Sequence, residues 1–85
     1  MKLDLLNKVV LLTGAGKGIG KEILSLLIKE KLIVYAITRD LSDFKEIKKS
    51  KNVFLFNGDV SDDKLIEEIF SVSKKNKHIM NCLIN

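Results

Sequence analysis

Eighty-five residues suffice for one small domain, in which burial of the core barely exceeds the entropy of ordering the chain. A content of 46% hydrophobic and 31% charged residues, with five glycines and no proline, is globular and excludes a disordered or fibrous chain. The net charge is +4, but Lys45, Lys48, Lys49, Lys51, Lys74, Lys75 and Lys77 are spread over predicted helix faces and ends among acidic residues, with no recognition helix or aromatic-basic strand, so no nucleic-acid partner is expected.

The opening Met1-Lys2-Leu3-Asp4-Leu5-Leu6-Asn7-Lys8 carries charges where a signal peptide needs an unbroken apolar stretch. Lys8 to Thr13 is a β-branched, apolar run ended by glycine, the pattern of a strand buried on both faces. Beyond the turn, Ile19, Ile23, Leu24, Leu27 and Ile28 line one face of a helix expected from about Ile19 to Glu30. Leu32 to Thr38 reads as a second buried strand, Ser42 to Ser50 as a weak helix, and Val53 to Asn57 as a third strand. The longest apolar run, Leu32 to Ile37, is too short to span a bilayer, so no membrane partner is expected. Ser61 is expected to cap a helix that runs to about Lys75. Asp62 and Asp63 complement its dipole, and Leu65, Ile66, Ile69 and Phe70 form its buried stripe. Ile79 to Ile84 reads as a fourth buried strand. It contains the single cysteine, Cys82, which cannot form an internal disulfide and favours a reducing, cytoplasmic setting. Strands alternating with helices imply right-handed crossovers and a parallel sheet.

Thr13-Gly14-Ala15-Gly16-Lys17-Gly18-Ile19-Gly20 lies where a strand hands over to a helix, so free backbone N–H groups and the helix dipole converge on a spot suited to phosphate. Gly14, Gly18 and Gly20 match the three demands of such a loop: positive φ, close backbone approach to a pyrophosphate, and tight helix–strand packing. A P-loop register ending on Gly20-Lys21 puts Ala15 at the first glycine and Glu22 at the hydroxyl position, leaving magnesium without its ligand. Gly-x-Gly-x-x-Gly also fails, since its last position falls on Ile19 or Lys21. What remains is Thr-Gly-x-x-x-Gly-x-Gly.

That spacing resembles the short-chain dehydrogenase/reductase family. Gly58-Asp59-Val60-Ser61-Asp62 is similar to the family segment that contacts adenine, and Met80 to Asn85 to the strand entering its Asn-Asn-Ala-Gly motif. The resemblance covers the whole chain and implies an α/β fold: the N-terminal part of a doubly wound, parallel-sheet Rossmann domain with strand order 3-2-1-4, left incomplete over residues 1–85. It implies that Gly14, Gly18, Ile19 and Gly20 hold the pyrophosphate, Lys17 and Arg39 a 2′-phosphate, Asp59 and Val60 the adenine, and Asn85 the region beside the nicotinamide ribose. Thr38 matches the position that carries aspartate in NAD-preferring members, and Arg39 the next position, where arginine accompanies NADP. NADP is therefore expected over NAD. The alternative is that Arg39 points to solvent and Asp40, one step late, turns back to the ribose.

The family's serine and Tyr-x-x-x-Lys pair have no counterpart here, so no catalytic residue is assigned. Tyr35 lies mid-strand with no lysine four residues on and is read as packing, and His78, alone, as a loop residue rather than a metal ligand. Lys31 stands where the family has a helix-ending glycine. A left-handed residue there costs about 1 kcal/mol without glycine. The fourth strand is expected to leave an apolar edge open, as in a part of a longer chain. The parent is expected to be a homo-oligomeric oxidoreductase acting on a small carbonyl or alcohol substrate. The other reading is a non-catalytic dinucleotide-binding module or a remnant.

Overall fold

A computed structural model describes residues 8–15, 18–45 and 51–84. Four strands, β1 (Val9–Thr13), β2 (Ile33–Thr38), β3 (Val53–Asn57) and β4 (Cys82–Ile84), form one sheet in the order β3-β2-β1-β4. All three pairings are parallel, with Leu11 opposite Tyr35 and Leu83, and Tyr35 opposite Phe54. Helix α1 (Gly18–Lys29) connects β1 to β2, and α2 (Asp63–Lys75) connects β3 to β4.

Strand alternation divides the apolar residues between two cores. Val10, Leu12, Val34 and Ala36 pack with Leu24, Leu27 and Leu32 of the α1 layer, and Val9, Leu11, Tyr35 and Ile37 pack with Leu65 and Ile69 of α2. The central strands are apolar on both faces because both faces are covered. This is the doubly wound Rossmann arrangement, with the expected strand order. No helix among the described residues is long and apolar enough to cross a membrane.

Several local expectations need correction. Ile19 is not part of the buried stripe of α1; it is 77% exposed at the glycine-rich end, ahead of the point where the helix settles on the sheet. The 42–50 helix is a 3₁₀ turn over Leu41–Phe44, beginning at the Asp40 cap, with Phe44 buried; residues 46–50 lie outside the described set. Asp62, not Ser61, caps α2, its carboxylate accepting the Lys64 N–H at 2.9 Å. Ser61 is engaged elsewhere. The buried face of α2 follows Leu65, Ile69 and Ser73, a four-residue step that carries Phe70 into solvent. β4 is shorter than expected, and Cys82 and Leu83 are exposed: among the described residues the strand pairs with β1 alone, while α1 packs chiefly on β1 and β2.

Both helices end in the same way. The Leu32 N–H donates to the Leu27 carbonyl and the Lys31 N–H to that of Ile28, while the His78 N–H donates to Ser73 and the Lys77 N–H to Lys74. These are paired 6→1 and 5→2 bonds around a left-handed residue, with Lys31 at φ 62° and Lys77 at φ 60°. The turn at Lys31 thus keeps the shape a glycine would give it, at the steric cost of a Cβ. Lys31→Gly is expected to stabilise the chain by about 0.5–1 kcal/mol, the relief of left-handed strain less the added freedom of the unfolded chain. Urea denaturation of the two proteins checks this, and an unchanged or lower midpoint contradicts it.

Candidate functional site

The sheet's carboxyl edge gathers the residues singled out by sequence. β2 and β3 lie to one side of β1 and β4 to the other, so the chain reverses direction beside β1, the place where open α/β sheets form a ligand crevice. β1 is followed by Gly14 at φ 65°, and α1 starts at Gly18 with φ 56°. Both conformations are strained for an L side chain, although a Cβ at either glycine would meet nothing within 4 Å. Gly20 is restricted differently: a Cβ there would fall on the Gly14 carbonyl, so α1 approaches the turn more closely than any side chain allows. Buried Ala15 ties the turn to the neighbouring strand through its N–H, which donates to the Ile37 carbonyl at 3.1 Å. The first turn of α1 contains no acidic residue, so its N-terminal N–H groups face no carboxylate of their own helix. The sequence-based assignments to Lys17 and Asn85 lie outside the described residues.

At the ends of β2 and β3, Thr38 is buried, and its carbonyl accepts the Gly58 N–H at 2.8 Å and the Asn57 Nδ2 at 3.3 Å. Each strand then runs into an Asp-x-Ser turn. Asp40 Oδ1 accepts the Ser42 N–H and hydroxyl at 2.9 and 2.7 Å, and Asp59 Oδ1 accepts the Ser61 N–H and hydroxyl, both at 2.9 Å. The other oxygen of Asp59 meets Arg39 Nη2 at 2.9 Å. The Ser61 amide and hydroxyl hold the Asp59 carboxyl below the usual carboxylate range; desolvation partly opposes this, and the Arg39 charge adds to it. Val60, half-exposed, follows on the same edge.

The structure therefore brings Gly14, Gly18, Ile19, Gly20, Arg39, Asp59 and Val60 to one edge of the sheet. Sequence reasoning did not identify Ala15 as an anchor or Ser61 as the residue that orients Asp59. The Asp-x-Ser spacing was the available signal for the latter. Tyr35 is away from this edge, fully buried, with its hydroxyl 2.7 Å from His78 Nδ1 and its ring stacked on Phe54 at 4.6 Å. Burial raises its phenol above the ordinary value, partly offset by hydrogen bonding to Ser73. His78 lies in the connection between α2 and β4, ahead of the amino end of that strand, whereas the glycine turn follows the carboxyl end of β1. Tyr35 thus sits in the core, as expected, and His78, a loop residue, packs edge-on against its ring.

A family model described as short chain dehydrogenase matches residues 8–85. The chain belongs to the short chain dehydrogenase family. An uncharacterised oxidoreductase of Saccharomyces cerevisiae is 26% identical to this dehydrogenase-family chain over 83 residues, 93% of the chain and 33% of the yeast protein. The apo form of a glucose dehydrogenase from Caenorhabditis elegans superposes with a TM-score of 0.82 at 24% identity, covering 98% of this chain and 38% of the other. A 3-ketoacyl-(acyl-carrier-protein) reductase from Brucella melitensis, complexed with NADH, gives 0.78 at 21% identity, over 94% and 34%. The short chain dehydrogenase segment described here thus spans about a third of the length of these relatives.

Proposed function

We propose that this chain is the cofactor-binding part of an oxidoreductase that uses NADP(H) to interconvert a carbonyl compound and an alcohol. Arg39 carries the reading. Its side chain is 83% exposed at the carboxyl end of β2, directly after Thr38, whose buried side chain offers no carboxylate to a ribose hydroxyl. Asp40, the nearest carboxylate in sequence, has one oxygen engaged by Ser42.

The residues present fit a dinucleotide. A close approach that excludes a Cβ at Gly20, with positive φ at Gly14 and Gly18, makes a backbone cradle for a pyrophosphate. Gly14, Gly18, Ile19 and Gly20 would line it. Arg39 would take the 2′-phosphate, with Lys17 as the second cation inferred from sequence, and Asp59 and Val60 would flank the adenine. Asn85 keeps its sequence-based assignment beside the nicotinamide ribose. When bound, the cofactor supplies or accepts a hydride. This chain's own task is to orient the cofactor, because Tyr35, its one tyrosine, is buried away from the crevice and positioned to give no proton to a substrate.

Calorimetric titration with NADPH and NADH tests the reading, together with NADPH oxidation over a panel of ketones and 3-oxoacyl esters. The 85-residue chain is expected to prefer NADPH and to show no turnover above the buffer rate. Equal affinity, a preference for NADH, or turnover that survives repurification contradicts it.

A further inference from the structure

We infer that Asp59 is a positioning residue that sets cofactor choice through Arg39, in addition to any contact with the base. This inference rests on the proposed binding of NADP(H). Arg39 is long and projects from the end of a strand, where, among the described residues, Asp59 holds its guanidinium. Asp59 itself has little freedom. Two donors from Ser61 fix Oδ1 and turn Oδ2 toward Arg39. The backbone before it is fixed as well. The Gly58 N–H is bonded to the Thr38 carbonyl, and Gly58 at φ 150° has the Leu65 side chain 2.7 Å from where a Cβ would stand. Gly58 lies in a bend directly after β3, and its N–H keeps that point tied to the end of β2.

A guanidinium has five N–H donors, and the contact to Asp59 is made through Nη2, so further donors remain for a dianionic phosphate. An arginine already held in place surrenders less side-chain entropy when the phosphate arrives. The carboxylate also repels that phosphate. The anchored geometry favours positioning as the larger effect, because the Ser61 contacts hold the carboxylate on the guanidinium.

The test is a double-mutant cycle in the 85-residue chain, in which calorimetry gives NADPH and NADH affinities for wild type, Asp59→Asn, Arg39→Ala and the double variant. In Asp59→Asn the amide retains the Ser61 contacts through its oxygen and presents an N–H₂ to Arg39, releasing the arginine. The NADPH-to-NADH affinity ratio is expected to fall about three- to fivefold, the scale of an exposed ion pair. In the Arg39→Ala background the same substitution should leave the ratio unchanged. Ser61→Ala, which keeps the carboxylate and loosens its anchor, should lower the ratio by less, and it serves if Asp59→Asn fails to fold. If both affinities fall together at constant ratio, Asp59 acts on the base alone and the inference is overturned. A rise in the ratio also overturns it, because Asp59 then competes with the phosphate. If Arg39→Ala alone leaves the ratio unchanged, the NADP(H) reading itself fails, and this inference with it.

Discussion

Gly20→Ala is expected to destabilise the chain by about 1–3 kcal/mol, the cost of overpacking, and to weaken dinucleotide binding by about tenfold or more. Helix propensity alone predicts the opposite sign, since alanine in a helix is better than glycine by up to about 1 kcal/mol. The neighbour decides the outcome. The added Cβ would fall on the Gly14 carbonyl, with the Gly14 carbonyl carbon at 2.9 Å and Ala15 Cα at 3.4 Å, and none of these is a flexible side-chain end. Either α1 lifts from β1 or the turn moves, and each spoils the cradle. Gly18→Ala is the control, because a Cβ there meets nothing within 4 Å and the cost is the left-handed conformation alone, about 1–2 kcal/mol. Urea denaturation and calorimetry on both variants would show Gly18→Ala keeping the helix in place. A Gly20→Ala protein as stable as wild type would mean that α1 does not approach the turn this closely.

Arg39→Ala should weaken NADPH binding by about 1.5–3 kcal/mol, the range for hydrogen bonds to a charged group, and leave NADH nearly unchanged. The physical basis is the charge difference between the cofactors, a dianionic phosphate on one and a hydroxyl on the other. The substitution also breaks the ion pair with Asp59. Both groups are exposed, 83% for Arg39 and 43% for Asp59, so folding should change little. The salt dependence of NADPH binding should fall at the same time, because the lost contact is between charges in solvent. Titration of both cofactors with both proteins, at two salt concentrations, settles the matter. Equal losses for NADPH and NADH would place Arg39 on a part of the dinucleotide that the two share.

The sequence alone determined the order of the four strands and of the two α-helices, though not the 3₁₀ turn over Leu41–Phe44. Strands β1 and β2 lie in continuous β-branched and apolar runs, Val9 to Thr13 and Leu32 to Thr38, bounded by glycine or charged residues, and burial on both faces allows little else. The glycine turn was legible for the same reason, because positive φ favours glycine at Gly14 and Gly18 and the close approach at Gly20 leaves no room for a Cβ. Helix ends and exposures were less legible. Capping of α2 by Asp62 or Ser61 depended on a competing partner, the Asp59 carboxylate, which captures the serine hydroxyl. Phe70, Cys82 and Leu83 are apolar residues in regular elements, but burial also needs a neighbour over them, and the pattern of one segment does not say whether another covers it. The Arg39–Asp59 pair was beyond the sequence altogether. The two residues stand twenty positions apart, and only the parallel register of β2 and β3, with the bend at Gly58, brings the guanidinium within 2.9 Å of the carboxylate. Local chemistry chose the elements, and contacts between strand ends, made only once the sheet had formed, decided which charges meet at its edge.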